Sequence, residues 1–293
     1  MDAHGPHTGV AAHHAETHGR RTGVRLVLRV AIFLGLTAFA APALAKPAGH
    51  GANGAPCAAF DHEHAAWEAI VSRYVHDGVV DYSGLKHSGT EALGGYLRSL
   101  ESVCREHYFA WPREQQLAYW INAYNAYTVE LILEHYPIKS IRSIGFLPGA
   151  AFRDPFIPLT FLRGKALALD DIEHDVLRKD FHEPRIHFAL VCASQSCPVL
   201  RSDAYRATTL DTQLTDATRH FLSDGTRNRF DRATRTLHLS SIFKWFREDF
   251  ERSARTLPTF VARYAEPATA AALSSGDDVR VEFLEYDWSL NGR

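Results

Sequence analysis

At 293 residues the chain is long enough to bury a full core, and a formal net charge of −2 offers no basic footprint for nucleic acid. Beyond Ala45 no apolar run is long enough to cross a bilayer as a helix, so no membrane span is expected there.

The amino terminus reads as an export signal. Arg20, Arg21, Arg25 and Arg29 form a basic region, Val30 to Ala41 an apolar run, and Ala43-Leu44-Ala45 a small-x-small cleavage site. The run falls short of the ~20 apolar residues a helical span needs, so cleavage is expected rather than anchoring. Arg20-Arg21 lacks the bulky apolar residues that follow a twin-arginine pair. Cys57, after Gly54-Ala55-Pro56, lacks the apolar residue of a lipobox. His4, His7, His13, His14 and His18 precede the signal and would leave with it. The expected organisation is a signal peptide with a His-rich leader over 1–45, a flexible Gly/Ala/Pro-rich tether over 46–60, and a single globular domain over 61–293. The expected location is periplasmic or secreted. Cys57, Cys104, Cys192 and Cys197 then lie where disulfides persist, and four cysteines allow three pairings that spacing alone does not separate.

Along the domain, Trp67, Ile70, Val71 and Tyr74 mark a first helix within 61–76, closed by His76-Asp77-Gly78. Val79 to Tyr82 is extended, and a second helix covers about 91–105. The third runs from Pro112 to His135, with Pro112 suited to a first turn and Pro137 closing it. It is apolar nearly all round, so Asn122 and Asn125 meet little water. An unpartnered buried amide costs about 1–3 kcal/mol, so something must hydrogen-bond them.

A hairpin is expected from Phe156–Phe161 and Ala166–Leu169, then a helix capped by Asp170 with Glu173 at the capping-box position. Ile186 to Cys192 alternates as a strand, Ala193 to Ser196 turns, and Pro198 opens a helix capped by Cys197. A helix over 209–223 and a hairpin around 231–234 follow. Ser240 or Ser241 then caps a helix through Phe250, another helix follows Pro258, and a strand spans 279–286. The predicted class is α+β: a mainly helical single domain with short antiparallel hairpins and a small sheet.

Chemistry concentrates in Arg185 to Leu200. A thiol at a helix start feels the positive dipole end, which favours thiolate, and an imidazole in reach acts as its base. Cys197 is therefore the candidate nucleophile and His187 the candidate base. Asn122 or Glu173 would orient that base, or Asn122 would donate to an oxyanion, with Asp81 a further orienting candidate. Other readings of the same residues stand beside this one. Cys192 can be a buried apolar residue, and C-x4-C can close as a structural or redox disulfide, although it is not the C-x2-C of thioredoxin-like enzymes. His187 can be a satisfied core histidine, and capping alone accounts for Glu173. A mixed zinc site from His187, Cys192, Cys197 and Glu173 has no recognised spacing, and H-E-x-x-H is absent. No P-loop, G-x-G-x-x-G or G-x-S-x-G is present, so no cofactor is expected.

Five segments occur together: VVDYSGL (79–85), YWINAYNAYT (119–128), LALDDIEHDVLR (167–178), RIHFALVCASQSCPVL (185–200) and SSIFKWFREDF (240–250). In this order they resemble the domain of unknown function 547 family over roughly residues 65–250. The resemblance implies that Asn122, Asn125, Glu173, His174, His187, Cys192, Cys197 and Pro198 belong to the family signature, and it brings no settled activity. Asn125, His174, Cys192, Asp81 and Tyr82 are taken as binding or supporting residues. The expected function is a thiol-dependent hydrolase or acyl/amide transferase acting on a cell-envelope peptide or amide. The alternative is a non-catalytic envelope protein with a structural cysteine pair and a buried Asn/His network.

Overall fold

The computed structural model describes residues 57–147, 149–275 and 278–292. The chain divides into two units, 1–46 and 47–293, and the first lies outside the described residues, as do the signal and its leader. Helices α1 (Ala65–Tyr74), α2 (Tyr82–Ser88), α3 (Thr90–Glu101) and α4 (Arg105–Ala110) lead to the long α5 (Arg113–His135). Val75–His76 (β1) pairs antiparallel with Val79–Val80 (β2). Asp77 and Gly78 between them both have positive φ, as a two-residue type I′ turn demands. A Cβ on Gly78 would lie 2.6 Å from Val199, so the same glycine also permits a close approach.

Among the described residues α5 is the central element. Both faces are buried from Leu117 to Val129, which explains why its sequence lacks a polar stripe. Around it packs an apolar cluster from α1 to α3, the segment at Ile157–Leu177, and Ile186 to Leu214. A second cluster, rich in phenylalanine (Phe188, Phe221, Phe243, Phe250, Phe260), is built by α7 (Leu210–Ser223), α8 (Ser241–Trp245), α9 (Arg247–Ala254), α10 (Leu257–Ala262) and α11 (Pro267–Leu273). The four-residue α6 (Ala150–Arg153) lies before the π-helix Asp171–Phe181. A three-stranded sheet borders the second cluster. In it β3 (Arg229–Asp231) and β4 (Thr236–Leu239) form the expected hairpin, and β5 (Arg280–Phe283) runs parallel to β4. Mainly helical α+β is the observed class.

Several local expectations are corrected. Ile186–Cys192 is not a strand: Pro184–Phe188 forms a 3-10 turn and the chain then runs irregularly. Ile186, His187 and Phe188 are all buried, which a two-faced strand at a surface would not give. No helix begins at Pro198, and regular structure resumes only at Leu210. The Tyr205 N–H and C=O are both taken by Asn122, which keeps them out of a helical ladder. Cys197 therefore gains nothing from a helix dipole. Asp170 makes no cap bond; instead the Asp171 carboxylate accepts from the Ala168 N–H. The hairpin at 156–169 narrows to one bridge, Ile157 to Leu167. The helix after Ser240 breaks at Phe246, whose ring is carried onto His187.

Candidate active site

The segment 189–205 has little regular structure, so other elements must hold it. Asn125 holds its start: the side-chain amide donates to Ala189 C=O (3.0 Å), and its carbonyl accepts from Val191 N–H (3.0 Å). Asn122 holds its end in the same manner, donating to Tyr205 C=O (2.7 Å) and accepting from Tyr205 N–H (3.0 Å). Three residues apart on one buried helix, the two amides share a face. Each supplies the backbone partner a neighbouring strand would otherwise supply. The carboxy-terminal segment holds the intervening turn from its other side. Gln195 N–H donates to Ser289 C=O, Ser196 N–H to Asp287 C=O, and Asn291 N–H to Ala193 C=O. Ala193 takes a left-handed φ of 57°, which turns the chain between the two cysteines.

A cavity of about 350 Å3 opens where the two apolar clusters meet. Glu173, His174, His187, Cys192 and Cys197 all line it, joined by Tyr124, Asp170 and Tyr286. Phe152, Trp245, Phe246 and Trp288 form aromatic walls. Asn122, Asn125, Asp81 and Tyr82 lie elsewhere: Asp81 accepts from Gly84 N–H to cap α2, and the Tyr82 hydroxyl donates to Asn291 (3.4 Å). A larger cavity of about 650 Å3 near α7 and α11, lined by Arg219, His220, Arg229 and Glu266 among others, has no cysteine in its wall.

His187 is nearly enclosed. Its ring stacks on Phe246 with centroids 3.8 Å apart, and Phe250 meets its edge. Nε2 lies 2.8 Å from Asp249 Oδ2. Burial alone would raise the Asp249 carboxyl, but hydrogen bonds and charge from His187 and Arg178 outweigh it and hold Asp249 well below the usual carboxylate range. A carboxylate only accepts, so Nε2 carries the proton. Nδ1 has no hydrogen-bond partner and faces Glu173 Oε1 at 3.5 Å. Glu173 in turn accepts from the Tyr124 hydroxyl at 3.4 Å. Arg178 binds Asp249 through two nitrogens and donates to His174 Nδ1 at 3.0 Å. Since a guanidinium only donates, His174 keeps its proton on Nε2, 4.0 Å from Asp170.

The two thiols differ. Cys197 is buried, accepts from the Cys192 N–H (2.7 Å), and lies 4.0 Å from Leu190 C=O. Burial, then its hydrogen bond with Cys192, pushes its thiol well above the ordinary value. Cys192 is partly exposed. Its sulfur lies 3.1 Å from the Ser194 hydroxyl and 3.1 Å from the Tyr286 hydroxyl, which are 3.3 Å from each other. Burial opposes ionisation of Cys192, but hydrogen bonds from Cys197, Ser194 and Tyr286 outweigh it and bring this thiol below the ordinary value. A thiolate has no proton to give, so both hydroxyls can turn their hydrogens onto it. The geometry therefore favours Cys192 over Cys197 as the ionised sulfur.

Both Asn residues, Glu173, His174, His187 and the C-x4-C pair fall inside residues 109–222, which match the family described as Protein of unknown function, DUF547. Over that segment the chain matches the DUF547 family. The match is narrower than the span 65–250 suggested by the motifs. Searches against curated proteins and against solved structures returned no match. Three residues that touch the site carry no signal as such in the sequence: Tyr286, which lines the cavity, Asp249, which holds His187, and Ser194, which holds Cys192. Asp249 stands in the SSIFKWFREDF run, which the sequence marks as a capped helix and as part of the family resemblance. Nothing local marks Tyr286, which reaches Cys192 from 94 residues away.

Among the described residues, the set of three metal-type donors within 4.8 Å of one another is Cys57, Cys104 and His107. Its two sulfurs are joined as a disulfide, and it lies apart from the residues lining the cavity.

Proposed function

We propose that this protein is an exported thiol-dependent hydrolase or acyl/amide transferase, with Cys192 as nucleophile. One observation carries the reading. Cys192 Sγ, held by two hydroxyls, shares a cavity with a histidine whose Nε2 is locked on a carboxylate and whose Nδ1 makes no hydrogen bond and faces Glu173. Nucleophile, base and orienting acid are the parts that acyl transfer requires. In this scheme the Cys192 thiolate attacks a carbonyl carbon. His187 Nδ1, having taken the proton of the Cys192 thiol, gives it to the leaving group and then takes one from the water or amine that resolves the thioester, while Asp249 fixes the tautomer. Glu173 faces Nδ1 and stabilises the imidazolium formed in that exchange. Asn122 has no part in it, because both its amide atoms are engaged with Tyr205.

Export is supported by the basic, apolar and small-residue order of the leader and by the Cys57–Cys104 disulfide, a bond that persists in oxidising compartments. A cell-envelope peptide or amide fits that compartment and the aromatic walls of the cavity. The rival reading, a non-catalytic envelope protein, has the disulfide and the Asn pairs in its favour, but it gives the unpartnered Nδ1 no task.

The test is a thioester trap. The purified protein is incubated with a panel of envelope-derived peptide amides and activated acyl esters, quenched in acid, and mapped by mass spectrometry. Acyl adducts on Cys192 that are lost in C192S and build up in His187→Gln support the proposal. Adducts that form equally on Cys197, or persist in C192S, overturn it.

A further inference from the structure

The thiol pair has a second capacity that acyl transfer does not use. Both cysteines line the cavity, Cys192 partly exposed and Cys197 buried at 2% exposure. The left-handed Ala193 folds the intervening turn back, and the Cys192 N–H points at the Cys197 sulfur from 2.7 Å. Both cysteines are free in this structure, while Cys57 and Cys104 are already joined. An accessible sulfur over a buried neighbour is the layout of an attacking and a resolving thiol.

We propose that Cys192 and Cys197 form a thiol–disulfide exchange pair that takes a small or peptidyl disulfide as its substrate. The Cys192 thiolate attacks one sulfur of the incoming disulfide. A Cys192–S–S–R bond forms, the substrate S–S bond breaks, and one R–S⁻ leaves. Cys197 then gives up its proton to that departing thiolate. Its sulfur attacks Cys192 Sγ, the mixed disulfide breaks, and the second R–S⁻ leaves and takes a proton from water. Two protein thiols are oxidised to one disulfide, and one substrate disulfide is reduced to two thiols. The Ser194 and Tyr286 hydroxyls assist the first step by stabilising the attacking thiolate. The Cys192 N–H assists the second by donating to the charge that forms on Cys197. The oxidised pair has no free nucleophile at Cys192, so any acyl transfer at this cavity would stop until a thiol reopened it.

The test uses the full purified chain, oxidised and reduced glutathione in graded ratio without oxygen, acid quenching, and mass spectrometry of alkylated peptides. Wild type is expected to pass to an intramolecular Cys192–Cys197 disulfide with little glutathione adduct retained. C197S should accumulate glutathione on Cys192, at a rate roughly tenfold or more above that at Cys197 in C192S. The Cys57–Cys104 bridge is followed in the same digests as a second disulfide, and circular dichroism checks that each variant is folded. Wild type that keeps the Cys192–glutathione adduct without closing the intramolecular bridge overturns the proposal. Equal adduct formation at both cysteines in the single variants also overturns it. No acyl substrate enters this experiment, so its failure leaves the thioester trap untouched and the reverse also holds.

Discussion

Two groups of polar residues, the Asn pair of α5 and the groups around His187, behave oppositely. Asn122 and Asn125 engage both their amide nitrogen and their amide oxygen with backbone partners. Around His187 and Cys192, by contrast, bonding capacity remains: Nδ1 lacks a partner and two hydroxyls converge on one sulfur. A closed network fixes backbone, and an open one is available to a ligand. Residues that look alike in a motif therefore divide into those that hold the segment 189–205 and those that face the cavity.

The comparison breaks first at Asp249. Its carboxylate serves both Arg178 and His187, with side-chain exposures of 10%, 25% and 1% respectively. Asp249→Asn would take the shared carboxylate from a buried imidazole and a partly buried guanidinium, and urea denaturation should show a loss of about 3–5 kcal/mol. A loss under ~1 kcal/mol would mean the charges are solvated and the site is not preorganised.

Asn125→Ala and Asn122→Ala come next. Each leaves one backbone N–H and one C=O unpaired, at about 2–4 kcal/mol in total. Only Asn125 grips the residues next to Cys192, so N125A should also speed alkylation of Cys192 while N122A should not. Equal acceleration in both would erase the distinction between holding the start and holding the end of the segment.

Glu130, on α5, tests whether polar groups away from the Asn pair are satisfied too. Burial first, then repulsion from Glu134 and Glu101, raises its carboxyl from 4.5 to about 7. Between those values the folded protein binds the extra proton, so stability falls as pH rises through this window and stays low above it. Glu130→Gln removes that loss. It should stabilise by about 1–2 kcal/mol at pH 8 and by almost nothing at pH 4, read as thermal midpoints across pH.

The smallest effect is at Tyr286. Removing its hydroxyl takes one of two hydroxyl donors, about 1 kcal/mol, from the partly exposed Cys192 thiolate. In Tyr286→Phe the pH profile of iodoacetamide labelling at Cys192 should move up by roughly half to one unit, with folding unchanged. An unmoved profile would remove Tyr286 from the thiol's environment.

Much of the helical frame was legible because burial imposes a period. The apolar spacing of α1, α5 and α7 marks helices whatever surrounds them. The Ser240 cap and the β3–β4 hairpin were likewise set by residues within a few positions of one another. The demand that Asn122 and Asn125 find partners was also readable, since it follows from an amide in an apolar helix. Which partners they find was not. The stretch from Ile186 to Pro198 misled for the same reason. Alternating apolar residues and a well-placed proline signal a strand and a helix start, but the Asn side chains had already claimed the backbone groups that such elements need.

What the sequence by itself determined was the periodic helices, the two amides that must be satisfied, and the short list of Cys, His and Glu able to do chemistry. Tertiary structure alone decided which thiol can ionise and which acid orients the histidine. Both depend on groups brought from far along the chain, Tyr286 onto Cys192 and Asp249 onto His187. A pKa is set by the few ångströms around a group, and no spacing in a sequence measures that distance.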